Sequence, residues 1–172
     1  MRRICYAVAM SLDGYLAGPN GEYDWILMDP DMDFQKTYQR FDTLLMGRRT
    51  FEAMSAGGGG GMMPGMKLVV VSGTLRPRDH PDITVISGKV EEAVGRLRAE
   101  SGKDIWLFGG GALFRTLLDA RLVDTVEVAV EPVLLGGGIP LLPSPAGRAK
   151  LKLTGHKVYK TGIIGLEYGI QR

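Results

Sequence analysis

The chain has 172 residues, 45% hydrophobic and 23% charged, with 21 basic and 19 acidic side chains and a formal charge of +2. That length suits one domain, 1–172, able to bury roughly two-thirds of its unfolded surface, and the composition excludes a disordered chain. The lack of any Lys/Arg-rich run excludes nucleic acid and an anionic membrane as expected partners.

The chain-order reading starts with a buried strand over Ile4–Met10, an unbroken apolar run. It contains Cys5, the single cysteine, which rules out an internal disulfide or a cysteine-cluster metal site and reads as a buried strand residue. Nothing before or within this run has the apolar core and cleavage site of a signal peptide, and no run approaches the ~20 residues that span a bilayer. The expectation is a soluble, cytoplasmic protein. Asp13, in Ser-Leu-Asp-Gly, reads as a turn residue. A helix is predicted over Asp33–Phe41, with Phe34, Tyr38 and Phe41 on one face, then a short strand over Thr43–Met46.

Gly57–Gly61 is a run of five glycines that neither helix nor strand tolerates; it reads equally as a surface insertion or as a mobile loop beside a site. Strands follow at Lys67–Ser72, Ile83–Ser87 and Ile105–Phe108, rich in β-branched residues as in sheets covered on both faces. Between them Val90–Ser101 has helical periodicity (Val90, Ala93, Val94, Leu97), with Gly102 as its stop. Gly110–Leu118 opens with glycines and continues as an apolar helix. This alternation predicts a largely parallel sheet with helices on its faces. Thr125–Glu131 then alternates, with valines at 126, 128 and 130 against Glu127, Ala129 and Glu131. Leu151–Lys160 and Ile163–Ile170 flank the hairpin signal Thr161-Gly162, so antiparallel strands close the sheet.

Three segments carry chemistry suited to phosphate. Phe108-Gly109-Gly110-Gly111-Ala112-Leu113 joins a strand to a helix, whose first-turn N–H groups and partial positive charge suit a pyrophosphate that glycines allow close. Met46-Gly47-Arg48-Arg49-Thr50 offers a small residue, two guanidinium forks and a hydroxyl. Ser72-Gly73-Thr74 ends a strand with two hydroxyls about a glycine, and strand C-termini are where open α/β sheets bind ligands. Each has a plainer alternative, a tight turn or a solvated helix start. Together they favour a dinucleotide. His80 and His156 have no partner at ligand spacing and read as surface or structural residues, and no metal site is expected.

The segments MGRRTFE (46–52), MPGMKLVVVS (63–72) and FGGGALF (108–114) resemble, in order and approximate spacing, the cofactor-binding segments of dihydrofolate reductases. SLDGYLAG (11–18), with Asp24-Trp25 after it, and VDTVEVAVEPVLLGGGIPLLP (123–143) are more similar to the riboflavin-pathway reductase domain and its small stand-alone relatives. The resemblance covers nearly the whole chain. It implies a dihydrofolate reductase-like αβα sandwich around a mixed, mostly parallel sheet of about eight strands, with NADPH across the strand C-termini.

By that resemblance Gly47, Arg48 and Thr50 would meet the adenosine-phosphate and pyrophosphate region. Ser72 and Gly73, with Thr74 beside them, would join Arg48 and Arg49 around the ribose 2′-phosphate. Gly109 to Leu113 would cradle the pyrophosphate and nicotinamide end, where a cis peptide can fall within the Gly109-Gly110 pair. Ala9 and Leu16 match positions lining the nicotinamide pocket. An acidic residue before the first helix would hold the substrate ring and its proton; counting back from Met46 places Asp31 there, with Asp29 and Asp33 a small shift away. The same aspartates also read as helix cap and dipole partners around Pro30. Trp25 would be a pocket wall or a lid anchor. The implied activity is NADPH-dependent reduction of a small heterocycle, pterin or ribosylaminopyrimidine, in a homodimer formed through the C-terminal strands. No deaminase signature accompanies it. The alternative is an NADP(H)-binding protein without turnover, a sensor or structural subunit.

Overall fold

The computed structural model describes residues 1–57, 63 and 65–171. Of the glycine run, only Gly57 falls among them, so both readings of Gly57–Gly61 lie outside the described residues.

Six strands run parallel: β1 (Ile4–Ser11), β3 (Phe41–Gly47), β4 (Lys67–Val71), β5 (Thr84–Ile86), β6 (Asp104–Gly109) and β7 (Thr125–Glu131). The hairpin of β9 (Lys150–Val158) and β10 (Ile164–Gln171) adds to β7 in antiparallel fashion. The eight strands lie in the order β5-β4-β3-β6-β1-β7-β10-β9. A separate two-stranded ribbon pairs β2 (Tyr15–Ala17) with β8 (Ile139–Pro140). The ribbon has no sequence signal, because its partners are two and three residues long and over a hundred positions apart.

Helices form the outer layers. On one face α3 (Val90–Ala99) and α4 (Gly111–Asp119) bury Val94, Leu97, Leu113, Phe114 and Leu117 against Ile4, Tyr6, Leu45, Val126 and Val128. Tyr6 stacks on Phe114 at 3.9 Å between ring centroids. On the other face α1 (Phe34–Gln39) and α2 (Arg48–Ala56) lay Tyr38, Phe51 and Met54 over Cys5, Leu44, Met46, Val70 and Trp106. This is the three-layer αβα architecture expected from the sequence, and the alternation in β7 divides as read: Val126 and Val128 enter the α3–α4 core, while Glu127, Ala129 and Glu131 take the other face.

Local chemistry sets several ends. Asp33 is the N-cap of α1, accepting from the Lys36 amide at 2.9 Å, so this helix starts one residue later than its apolar spacing predicts. Phe41 belongs to β3 and not to the helix, because it lies against Trp106 in the sheet core. The β9–β10 turn is a tight turn in which Gly162 donates to Tyr159 O at 3.0 Å and takes a positive φ of 93°.

Buried ion pairs fasten the edge of the sheet opposite the strand C-termini. Arg2 is almost wholly buried and donates to Asp42, Thr43 Oγ1 and the Lys103 carbonyl, tying the start of β1 to β3 and to the turn before β6. Arg98 Nη2 donates to both carboxylate oxygens of Asp124, at 2.8 and 3.0 Å, and Asp124 accepts from the Ile4 amide.

Candidate functional site

Strand register assembles the three glycine- and hydroxyl-bearing loops. Gly47 lies opposite Val71, and Met46 opposite Gly109, so β3, β4 and β6 end at the same height on neighbouring strands. The turns into α2, after β4 and into α4 therefore leave the sheet side by side at its C-terminal edge. That edge is where open α/β sheets take ligands.

Thr50, in the first turn of α2, sits against the glycine pair after β6. A Cβ on Gly109 would lie 3.1 Å from Thr50 Oγ1, and one on Gly110 3.4 Å from it. The Gly109-Gly110 peptide is cis. Gly110 is the N-cap of α4 with no side chain capping the helix, which leaves the first-turn amides of Gly111, Ala112 and Leu113 to an external acceptor. Phe108 and Leu113 turn their side chains into opposite cores, so only their backbone belongs to the loop.

The glycines differ in what they protect. At Gly111 a Cβ would meet Pro140 O at 2.6 Å and Leu141 O at 3.0 Å; this glycine lets α4 pack under the segment around β8. Gly138, at φ 146°, likewise passes under Ala17 O. Around Gly47 and Gly73 a Cβ would meet nothing within 4 Å, and neither has a left-handed φ. The fold itself does not need glycine there, which fits a backbone kept bare for a ligand.

Arg48 reaches across from α2 to β4: its Nη1 donates to Thr74 Oγ1 at 3.1 Å, and its Nε stands 3.7 Å from Glu52. Ser72 is buried, with Oγ accepting from the Thr74 and Leu75 amides at 3.1 and 3.0 Å, so its hydroxyl shapes the turn that presents Thr74. Arg49 is exposed and has no hydrogen bond or ion pair among the described residues. Arg48, Arg49 and Thr74 together form a cationic, hydroxyl-bearing corner at the ends of β3 and β4.

The residues expected at the nicotinamide pocket and around the substrate are dispersed differently. Ala9, half-buried, lies beside Ala129 on the face shared by Ser11 and Glu131, and Leu16 is half-buried in β2. Trp25 donates from Nε1 to Glu22 O at 3.0 Å, inside a loop braced by Asn20–Glu22 bonds of 2.8 Å. Asp29 is buried; its carboxylate accepts from the Asp31 amide and from the Thr161 amide and hydroxyl, stitching the segment before α1 to the β9–β10 turn. These bonds, the Asp31 amide foremost, hold its carboxyl below the usual range. Asp33 is spent as a cap. Asp31 is exposed, and its carbonyl accepts from Lys157 Nζ at 3.0 Å. Asp13 is more than a turn residue: it accepts from Ser11 Oγ at 2.7 Å and from the Leu135 and Gly136 amides, clamping the β1–β2 turn to the glycine loop before β8.

Sequence reasoning assigned no role to Glu131. It reads as the polar side of an alternating strand, yet it is 1% exposed, with Oε2 accepting from the Leu27 amide at 3.2 Å. Burial pushes its carboxyl upward, against the Leu27 hydrogen bond alone. The available signal was its position, an acidic residue ending a strand of a parallel sheet.

His80 packs edge-on to Phe51, and His156 is exposed on β9. Among the described residues no three His, Cys, Asp or Glu side chains gather to hold a metal ion. A recess of about 630 Å³ between α4 and β9, rimmed by Arg121, Arg148 and Lys150, lies at the opposite end of the sheet from this site.

A family model described as the RibD C-terminal domain matches residues 2–164. YyaP of Bacillus subtilis (strain 168) is 34% identical, over 97% of this chain and 94% of its own length. A solved structure of a putative riboflavin biosynthesis protein from Shewanella sp. PV-4 superposes with a TM-score of 0.85 at 26% identity, covering all of both chains. Dihydrofolate reductase from Enterococcus faecalis, solved with NADP(H), superposes with a TM-score of 0.72 at 18% identity over 99% of this chain and 97% of its own, a likeness of fold.

Proposed function

The chain belongs to the RibD C-terminal domain family, and from that premise we infer an NADPH-dependent reductase acting on a C=N or C=O bond of a small heterocycle of the pterin or ribosylaminopyrimidine class. The observation that carries the reading is the convergence of three loops at the ends of β3, β4 and β6, with Gly47 and Gly73 bare toward open space. A bound reduced nicotinamide supplies hydride, a chemistry no side chain offers.

The protein's own groups would bind and orient. The first-turn amides of α4 and the Thr50 hydroxyl would hold the diphosphate. Arg48, already extended to Thr74, would fork onto the ribose 2′-phosphate with Arg49 beside it. Ala9, being small, would let a flat ring approach β1 where it borders β7. The heterocycle would then lie between that face and the segment leading into α1, with Trp25 at its border.

Titration with NADPH and with NADH, followed by tryptophan fluorescence, tests the cofactor. Trp106 lies three residues before Gly109 and packs on Phe108 at 5.4 Å between ring centroids, so occupancy of the loop should change its emission. Failure of both nucleotides to bind at millimolar concentration would overturn the reading. A second reading, an NADP(H)-binding protein without turnover, draws support from Asp29 and Asp33 being committed to structural bonds. NADPH binding without oxidation across a panel of pterins and pyrimidines would favour it.

We place the protein in the cytoplasm as a homodimer. No described helix is long and apolar enough to cross a membrane. The outermost strand β9 leaves Leu151, Leu153 and Val158 exposed, an edge that a second copy would cover.

A further inference from the structure

Among the described acidic side chains, Glu131 combines near-complete burial with the absence of any ion pair. Asp29 and Glu127 are engaged, the first by Thr161 and the Asp31 amide, the second by a two-bond fork from Arg40 at 2.7 and 2.9 Å. Glu131 has one side-chain hydrogen bond, from the Leu27 amide to Oε2, which leaves Oε1 without a partner. Among the described residues no fully buried side-chain oxygen or nitrogen lacks a partner. The 1% of Glu131 that remains exposed therefore includes Oε1. An almost enclosed carboxyl thus keeps one oxygen open.

Strand register gives the neighbours of this side chain. Ser11 pairs with Glu131 across β1 and β7, so Glu131, Ser11, Ala9 and Ala129 share one face at the C-terminal edge of the sheet. Gly165 continues that face on β10, and Ala7, Ala9 and Ala129 are only half-buried, so the face is open there. The segment 18–33 runs over it into α1, held at Leu27 by Glu131 and at Asp29 by Thr161. The charged groups of the neighbouring elements are occupied elsewhere: Asp13 with Leu135 and Gly136, Lys157 with the Asp31 carbonyl, Arg40 with Glu127; Asp31 is exposed. None forms an ion pair with Glu131. An isolated buried carboxylate costs several kcal/mol unless it stays protonated.

We propose that Glu131, from the end of β7, is the acid that delivers the proton in the reduction, on the half-buried face it shares with Ala9, where the reading above puts the substrate ring. The assignment rests on the reductase reading above. In the step, the O–H bond of Glu131 would break as its proton passes to the nitrogen of a C=N bond whose carbon takes up hydride, the chemistry that a bound reduced nicotinamide would supply. One C–H and one N–H bond form, the substrate gains two electrons that the nicotinamide loses, and Glu131 is left as a carboxylate that water reprotonates. The Leu27 amide would steady that carboxylate between turnovers.

Glu131→Gln keeps the shape and the acceptor for Leu27 but has no proton to give. We expect kcat to fall by about 100-fold or more, the contribution usual for a placed acid, with KM and NADPH affinity changed less than about threefold. The wild-type decline of kcat with rising pH should disappear in the variant. A second readout needs no turnover. Because burial raises the folded pKa of Glu131, the wild type loses stability as pH rises from the unfolded value toward the folded one, whereas the variant does not. The Tm difference, variant minus wild type, should be smallest at pH 4 and grow as pH rises above the unfolded carboxylate value. A difference that does not grow with pH, or a variant less stable than the wild type at pH 8, overturns the assignment. Unchanged kcat in the variant overturns Glu131 alone; failure of the wild type to oxidise NADPH with any substrate of the class overturns the reductase reading with it.

Discussion

Gly73 and Gly111 stand on two sides of the same site, and their neighbours set opposite expectations. A methyl group on Gly111 would press on the backbone oxygens of Pro140 and Leu141, which cannot move without shifting the segment around β8. Gly111→Ala should cost about 1–3 kcal/mol of stability, measurable by denaturant or thermal unfolding. Gly73→Ala meets nothing, so its stability should change by less than about 0.5 kcal/mol. If the cofactor lies where we place it, that silent methyl should nevertheless weaken NADPH binding at least tenfold by calorimetry; unchanged affinity would move the nucleotide away from the end of β4. Arg48→Ala tests the same corner by charge. Loss of a guanidinium–phosphate contact costs about 1.5–3 kcal/mol, so NADPH should bind roughly 10- to 150-fold more weakly while NADH is unaffected. A preference for NADPH that survives the substitution would assign the 2′-phosphate elsewhere.

At the level of elements, the segment between β2 and α1 is held by contacts and not by its own secondary structure. Asp29 is its main fastening, tied to the β9–β10 turn through Thr161. The folded pKa of Asp29 is depressed, so its contribution is present above the unfolded carboxylate pKa and is lost as pH falls through the lower folded value. Asp29→Asn should therefore lower Tm at pH 7 and differ from the wild type progressively less below about pH 4; equal thermal stability at pH 7 would show that the stitch contributes nothing. Helices and long strands were legible because each carries its own period: β7 matches its predicted span, α3 starts where predicted and ends two residues sooner, and α4 is displaced by one residue. The β2–β8 ribbon was not, since two- and three-residue strands have no period to read. The aspartates before α1 show the same limit. Their spacing allowed cap, dipole partner or acid, and only the position of Thr161 decided that Asp29 is a tether.

For the whole molecule, the sheet ends on one side in a hairpin with little over it. Leu151, Leu153 and Val158 on β9, with Ile164 on β10, form an exposed apolar margin, while the opposite edge at β5 is short. Light scattering should give the mass of a dimer, and Leu153→Lys should shift it to the monomer without lowering the monomer's helical circular dichroism. A monomer mass for the wild type at micromolar concentration would remove the dimer. The sequence alone determined the α/β alternation, the antiparallel close and the three loops with phosphate chemistry, because periodicity and glycine placement are local properties. Tertiary structure decided which of those loops meet and which of their glycines the packing itself requires. It also enclosed the acid of β7 beneath a loop about a hundred residues away, because burial and register depend on contacts between segments that no local pattern encodes.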